Sequence, residues 1–336
     1  MPMDFSLTDE EQMVLDAAAE FARRGLLGKE RDHEREGCVS DASRKSFAES
    51  GLDLLSTTLP GTNSDGMDLS WPARIQALTI LARTDAAAAM ALWLPGTTAA
   101  LAKSLGAPAD AVAGLGQSRL VDAVGETSAP CSALPMAGAS RILDLDREGR
   151  WGIAEVTPSP SEAMALHAAG PRSADSVAWL AQGQVEAEAA HELRHLLRLV
   201  GSALLVGLAR ASTDYTAAYV QERVAFSKPL SHHQGVAFIV AEMAIRTTGC
   251  ELLLDRAGWD LEQGQSRTGT DAWLEACETA LWVTDQAVQL LGGHGYMKDH
   301  PVEKWMREAR TITLLWGGVD AARADAARDL DLGAES

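Results

Sequence analysis

From residue 189 to residue 222 the chain runs without a proline, and apolar side chains keep returning at the spacing of one helical face. Two further stretches, 232–262 and 271–291, do the same. The second carries Val236, Ile239, Val240, Met243, Cys250, Leu253 and Leu254, and the third Leu274, Cys277, Leu281, Val288 and Leu291. A shorter segment, 299–315, follows them. Four amphipathic helices in succession can bury their apolar faces only against one another, so 188–336 is expected to form an antiparallel four-helix bundle ending in a charged tail. The polar stretch 262–271 reads as a bundle loop.

The first 110 residues are also expected to be helical. Thr8 and Glu11 have the spacing of a capping box, and Met13, Val14, Ala17, Ala18 and Phe21 follow on one face. Gly25 and Gly28 loosen that helix, a second runs from 41 to 51, and 60–70 is loop by composition. Helices 71–83 and 85–105 follow, with Pro95-Gly96 expected to interrupt the second. Residues 111–187 differ in texture. Short segments at 118–124, 140–145, 152–156 and 176–180, separated by Gly, Pro, Ser and Asp, suggest a small β-rich module with room for about six or seven strands. The expected fold class is α+β, with domains at 1–110, 111–187 and 188–336.

The chain has 336 residues and a formal net charge of −18, a field that repels nucleic acid and anionic membrane surfaces. Apolar runs such as 86–95 fall short of a membrane span. The acidic N-terminus lacks the basic and apolar regions of a signal peptide. Cys38, Cys131, Cys250 and Cys277 are scattered without a CxxC pair. These features together point to a reduced cytoplasmic protein.

Several motifs invite chemistry. His191-Glu192-Leu193-Arg194-His195 is an HExxH, whose spacing puts both imidazoles on one helical face. A zinc site needs a third ligand, and downstream Glu222 stands alone without a supporting pattern. Partly exposed histidines at a helix start, binding no metal, are therefore expected. His232 and His233 are adjacent on a helix and point about 100° apart, which disfavours a joint metal site. Gly292-Gly293-His294-Gly295-Tyr296 follows a helix rather than a strand, so a Rossmann turn is excluded. Either a helix cap or close approach of backbone to a ligand accounts for it.

Read together, several segments resemble the acyl-CoA dehydrogenases. The stretch Tyr219, Arg223, Phe226, Pro229, Leu230, His233 and Gln234 is similar to that family's arginine–phenylalanine–glycine segment. Gln289 with Gly292, Gly293 and Gly295 is similar to its dinucleotide-contacting glycine turn. Arg307-Glu308-Ala309-Arg310 resembles the element before its catalytic loop, and Leu7 to Gln12 its opening. The resemblance implies FAD as cofactor. Arg223, Phe226, Leu230, His233, Gln234, Gln289, Gly292, Gly293 and Gly295 would then grip the pyrophosphate and adenine of a flavin bound mainly by a neighbouring subunit. Ala225 and Ser227 depart from the usual hydroxyl residue and glycine.

The two places where the family carries its catalytic base are here Trp316 and Leu197, neither of which can accept a proton. The flavin-ring strand and loop of the family have no match near 121–139, and its Lys-Trp-Ile-Thr element is missing. This combination resembles the short subunits of heteromeric α2β2 acyl-CoA dehydrogenases of steroid side-chain degradation. It implies a non-catalytic partner of a longer catalytic subunit that binds the acyl-CoA and supplies the glutamate, with electron-transfer flavoprotein as acceptor. The alternatives are a flavin-free structural or binding homodimer of the same fold, or an independent flavoenzyme with its base relocated to Glu192 or Asp320.

Overall fold

A computed structural model describes residues 6–60, 69–120, 141–155 and 179–330 of the chain. The expectations for 121–139, and for most of the 60–70 loop, lie outside the described residues.

Helix α1 (Asp9–Phe21) starts on the expected capping box, with the Thr8 side chain accepting from the Glu11 N–H and the Glu11 carboxylate accepting from the Thr8 N–H. A π-turn at Ala22–Leu26 follows, then α2 (Glu30–Glu36), α3 (Asp41–Glu49) and a 3₁₀ turn at Leu52–Ser56. Helix α4 (Trp71–Ser104) is kinked at Asp85, whose φ of −151° and ψ of 100° are not helical. The Asp85 carboxylate accepts from the Ala88 N–H at 3.2 Å, capping the second half of the helix. It also takes a bond from Lys304 Nζ at 3.1 Å and lies 2.8 Å from His33 Nδ1, so the kink joins three elements through buried charge.

Pro95 does not interrupt α4, contrary to the sequence expectation. The helix is held there by packing: a Cβ on Gly96 would fall 1.9 Å from Ser56 Oγ, and Thr97 Oγ1 donates to the Ser56 carbonyl at 3.1 Å. Tertiary contact thus offsets the lost backbone bond.

After the short α5 (Ala109–Val112) come β1 (Leu115–Leu120), β2 (Arg141–Leu145), β3 (Arg150–Glu155) and β4 (Trp179–Gln184). They form one sheet in that order, with β1 parallel to β2 and the other two pairs antiparallel. Four strands are present among the described residues; the expectation of six or seven also takes in 121–140 and 156–178, which lie outside them.

The bundle comprises α6 (Ala187–Glu222), α7 (Gln234–Glu262), α8 (Thr268–Leu291) and α9 (Val302–Ile312). Helices α4 and α6 are each long and apolar enough to cross a membrane, which the sequence reading missed, yet 72% and 94% of their most apolar windows are buried by protein. Both are core helices here, and their buried side chains share one apolar cluster with α8.

Two expectations for the bundle need correction. The charged tail is a helix, α10 (Gly318–Asp329), which docks beside the start of α6. Its Asp325 is buried and bonds Arg194 Nη2 at 2.9 Å and Arg198 Nη2 at 2.6 Å. The histidines of the HExxH are not partly exposed either. His191 and His195 are buried, because α10 covers the face that a free helix start would have left open.

Candidate functional site

Helix α6 ends at Glu222, and Arg223 turns the chain into extended backbone. A two-residue hairpin follows, pairing β5 (Val224–Ala225) with β6 (Lys228–Pro229). Phe226 and Ser227 form its turn with φ of 52° and 67°. Positive φ at both central residues matches the right-handed twist of the flanking strands, but it favours glycine or asparagine. Side chains in that region cost roughly 1–2 kcal/mol per residue, so the hairpin is held by its surroundings. Leu230 N–H donates to the Arg223 carbonyl at 2.8 Å, and His233 Nε2 lies 3.2 Å from the Ala225 carbonyl.

The result is an outward display. Phe226 is 92% exposed, its ring edge-on to His233 with centroids 6.1 Å apart. Arg223 is exposed and makes no ion pair among the described residues. Leu230 and His233 are half-buried beneath them, and Gln234 opens α7 with its side chain in solvent.

The glycine turn caps α8. Gly292 has φ 60° and ψ −133°, a conformation open in practice only to glycine. Gly295 is needed for close approach, since a Cβ there would sit 2.3 Å from the Val288 carbonyl oxygen. At Gly292 and Gly293 an added Cβ would meet nothing within 4 Å, and both are exposed. The turn is therefore a helix cap that also leaves an accessible strip of backbone. Gln289 is exposed on the preceding helical turn.

Sequence reasoning missed what joins the two features. Tyr219 Oη lies 2.8 Å from His294 Nδ1, and Tyr215 Oη lies 2.7 Å from His300 Nδ1. His294 and His300 stack with centroids 5.3 Å apart. Two tyrosines four residues apart on α6 thus hold the glycine turn beside the last helical turn before Arg223. The available signal was that spacing, which puts both hydroxyls on one face. An unpaired guanidinium, an exposed ring and open glycine backbone suit an anionic cofactor with an aromatic base, such as FAD.

Trp316 and Leu197, the positions at which the resemblance implies a base, are closed. Trp316 is 2% exposed, has φ 52°, and packs edge-on against Trp273 with centroids 5.4 Å apart. Both indoles rest on Gly201, where a Cβ would fall 2.3 Å from Trp316 and 2.5 Å from Trp273. Leu197 is also buried. Next to it, burial pulls the Arg198 pKa down to about 10 against the opposing effect of Asp325. Glu192 and Asp320 are both exposed, and Asp320 lies 3.9 Å from Arg323.

The architecture and this display define a class: the fold is that of the acyl-CoA dehydrogenases. Butyryl-CoA dehydrogenase from Megasphaera elsdenii superimposes with a TM-score of 0.76 at 18% identity, covering 98% of this chain and 100% of that one. A glutaryl-CoA dehydrogenase from Mycobacterium smegmatis, in complex with FADH2, gives 0.76 at 14% identity, covering 98% and 96%.

Sequence narrows this further for the bundle. Residues 188–330 match the family described as acyl-CoA dehydrogenase, C-terminal domain. Over 123 residues the chain is 38% identical to cyclohex-1-ene-1-carbonyl-CoA dehydrogenase of Geobacter metallireducens, covering 36% of this chain and 32% of that protein. The matched stretches span about a third of the length of the curated relatives.

Proposed function

We propose that this chain is a non-catalytic partner subunit in an FAD-dependent acyl-CoA dehydrogenase, and that it completes the flavin site of a longer catalytic subunit. One contrast carries the reading. The hairpin and glycine turn are built and displayed, while Trp316 and Leu197 are packed into the core where a base would be needed. Loss of function without selection would erode both regions alike.

In this reading the Arg223 guanidinium offers a fork of donors to the pyrophosphate, and Gln289 contributes its amide. Gly292 and Gly293 let backbone approach the cofactor, and Phe226 covers it. When bound, FAD would supply the hydride acceptor for α,β-dehydrogenation of an acyl-CoA. The partner holds the substrate and supplies the carboxylate for the α-proton. An α2β2 assembly in the cytoplasm, electron-transfer flavoprotein as acceptor and a steroid side-chain CoA thioester as substrate complete the proposal by analogy. The apolar stripe Phe238, Ile245 and Leu252 along α7 is exposed at seven-residue spacing and suits a helical neighbour.

The test is expression of this chain alone and together with a longer homologue. The chain alone is expected to be colourless, and the co-expressed complex yellow, with stoichiometric FAD. A homo-oligomer of this chain carrying stoichiometric FAD would contradict the proposal.

A further inference from the structure

The histidines of the HExxH motif meet a third potential ligand that sequence spacing did not reveal. His195 Nε2 lies 3.1 Å from His191 Nε2. Asp329, the last residue of α10, places Oδ1 2.5 Å from His191 Nε2 and Oδ2 3.5 Å from His195 Nε2. The three side chains are only 6%, 3% and 11% exposed.

Internal hydrogen bonding leaves this cluster under-satisfied. His191 can share one Nε2 proton with Asp329, which leaves the His195 nitrogen beside a nitrogen already engaged. Asp329 Oδ2 and His191 Nδ1 are both buried without a hydrogen-bond partner among the described residues. Among the described residues, the arginine that approaches Oδ2 is Arg267, with Nε at 4.0 Å. Arg194 and Arg198 also border the cluster, but their guanidinium groups are engaged by Asp325.

The geometry is close to that of a coordination shell. Zinc bonds of about 2.0–2.1 Å place the ligand atoms of a four-coordinate ion about 3.3 Å apart. The two ring nitrogens stand within about 0.2 Å of that value, and Asp329 offers one oxygen to each ring, so a small shift at the helix end brings a single carboxylate oxygen within reach of an ion held by both. An outer support is already present. His195 Nδ1 lies 2.7 Å from Thr270 Oγ1, which also accepts from Arg198 Nη1 at 3.1 Å, and this fixes the ring so that Nε2 faces the other two ligands.

We propose that His191, His195 and Asp329 bind a divalent d-block cation, zinc foremost, which clips helix α10 to the first bundle helix. Two imidazoles and one carboxylate suit such an ion better than calcium or magnesium. On binding, the ion replaces the proton shared by His191 and Asp329. Its role is structural: Glu192, the residue a zinc hydrolase would use as base, points to solvent, and the three ligands are closed in. The clip would hold α10 in place and with it Asp325, which neutralises Arg194 and Arg198. This site is independent of the flavin reading.

The test uses the full chain without a histidine tag, treated with EDTA, dialysed and titrated with zinc chloride. Saturable binding of one zinc per chain and a zinc-dependent rise in Tm are expected. Thr270→Val should weaken binding about 10- to 100-fold, as loss of an outer-shell partner does. Asp329→Asn should abolish both the binding and the Tm rise while leaving the metal-free circular dichroism unchanged. Should that variant fail to fold, His191→Gln is read in the same way. Absence of saturable zinc binding, or wild-type zinc affinity in a folded ligand variant, would overturn the proposal.

Discussion

The Tyr219 hydroxyl lies 2.8 Å from Nδ1 of His294, and this bond ties the end of α6 to the glycine turn that caps α8. Tyr219 stands one helical turn before Arg223. The strip of open backbone and the displayed guanidinium therefore share one rigid support, although they are far apart in sequence. Tyr219→Phe removes the bond and leaves the imidazole nitrogen unpaired. The expected cost is about 1 kcal/mol of stability, read by urea denaturation. The loosened turn should also weaken FAD retention in the complex.

Ser227 holds φ of 67° in a position that favours glycine. Ser227→Gly should relieve that strain and raise stability by about 1 kcal/mol, less the entropy glycine loses on folding. Ser227→Val should do the reverse, because a β-branched side chain tolerates this backbone poorly. Thermal melts of the two variants should move in opposite directions.

Trp316 is packed on Trp273 and Gly201 with no room for a change of chemistry. Trp316→Ala should cost roughly 3–5 kcal/mol through the cavity it leaves. Trp316→Glu should also be strongly destabilising, since it buries a carboxylate without a partner, and should restore little turnover. Melting temperature and an acyl-CoA assay at saturating FAD check both points.

Asp325 makes the docking of α10 sensitive to acid. Burial alone would raise its pKa, but Arg194 and Arg198 outweigh that and hold it below the usual carboxylate range. A depressed carboxylate stabilises the fold above its unfolded pKa, and that stabilisation is lost as pH falls through the folded value. Stability should therefore drop below about pH 4 by this route. Asp325→Asn should lack this part of the acid transition. At neutral pH it should cost about 3–5 kcal/mol, because two buried guanidinium groups lose the carboxylate that balances their charge.

The long helices were legible because their apolar residues repeat at helical spacing, and the Thr8–Glu11 box marked where α1 begins. Asp325 and Asp329 were not legible. In residues 318–329 Val319 is the one apolar side chain larger than alanine, so no strong periodicity announces a helix, and the partners Arg194 and His191 lie 131 and 138 positions away. The same gap explains the HExxH histidines, whose burial depends on a helix that the sequence presents as a tail. Pro95 misled for a related reason: the contact with Ser56 that holds the helix there crosses 41 positions, as measured at the neighbouring Thr97. The 219–234 segment and the glycine turn were recognisable as motifs from residue types, but the hairpin at 224–229 was not. The tyrosine–histidine pairs that join them were not, because His294 and His300 look like loop residues until α6 is beside them.

The most direct test of the proposed function is the affinity of deflavinated complex for FAD, measured with wild-type chain and with Arg223→Ala. Arg223 is exposed, carries no ion pair among the described residues and lies outside the core, so its truncation should leave the fold intact. If its guanidinium reaches the pyrophosphate of the partner's FAD, loss of a charge-assisted contact should weaken FAD binding about ten- to hundredfold. FAD affinity unchanged by Arg223→Ala would place the cofactor away from this chain and contradict the account.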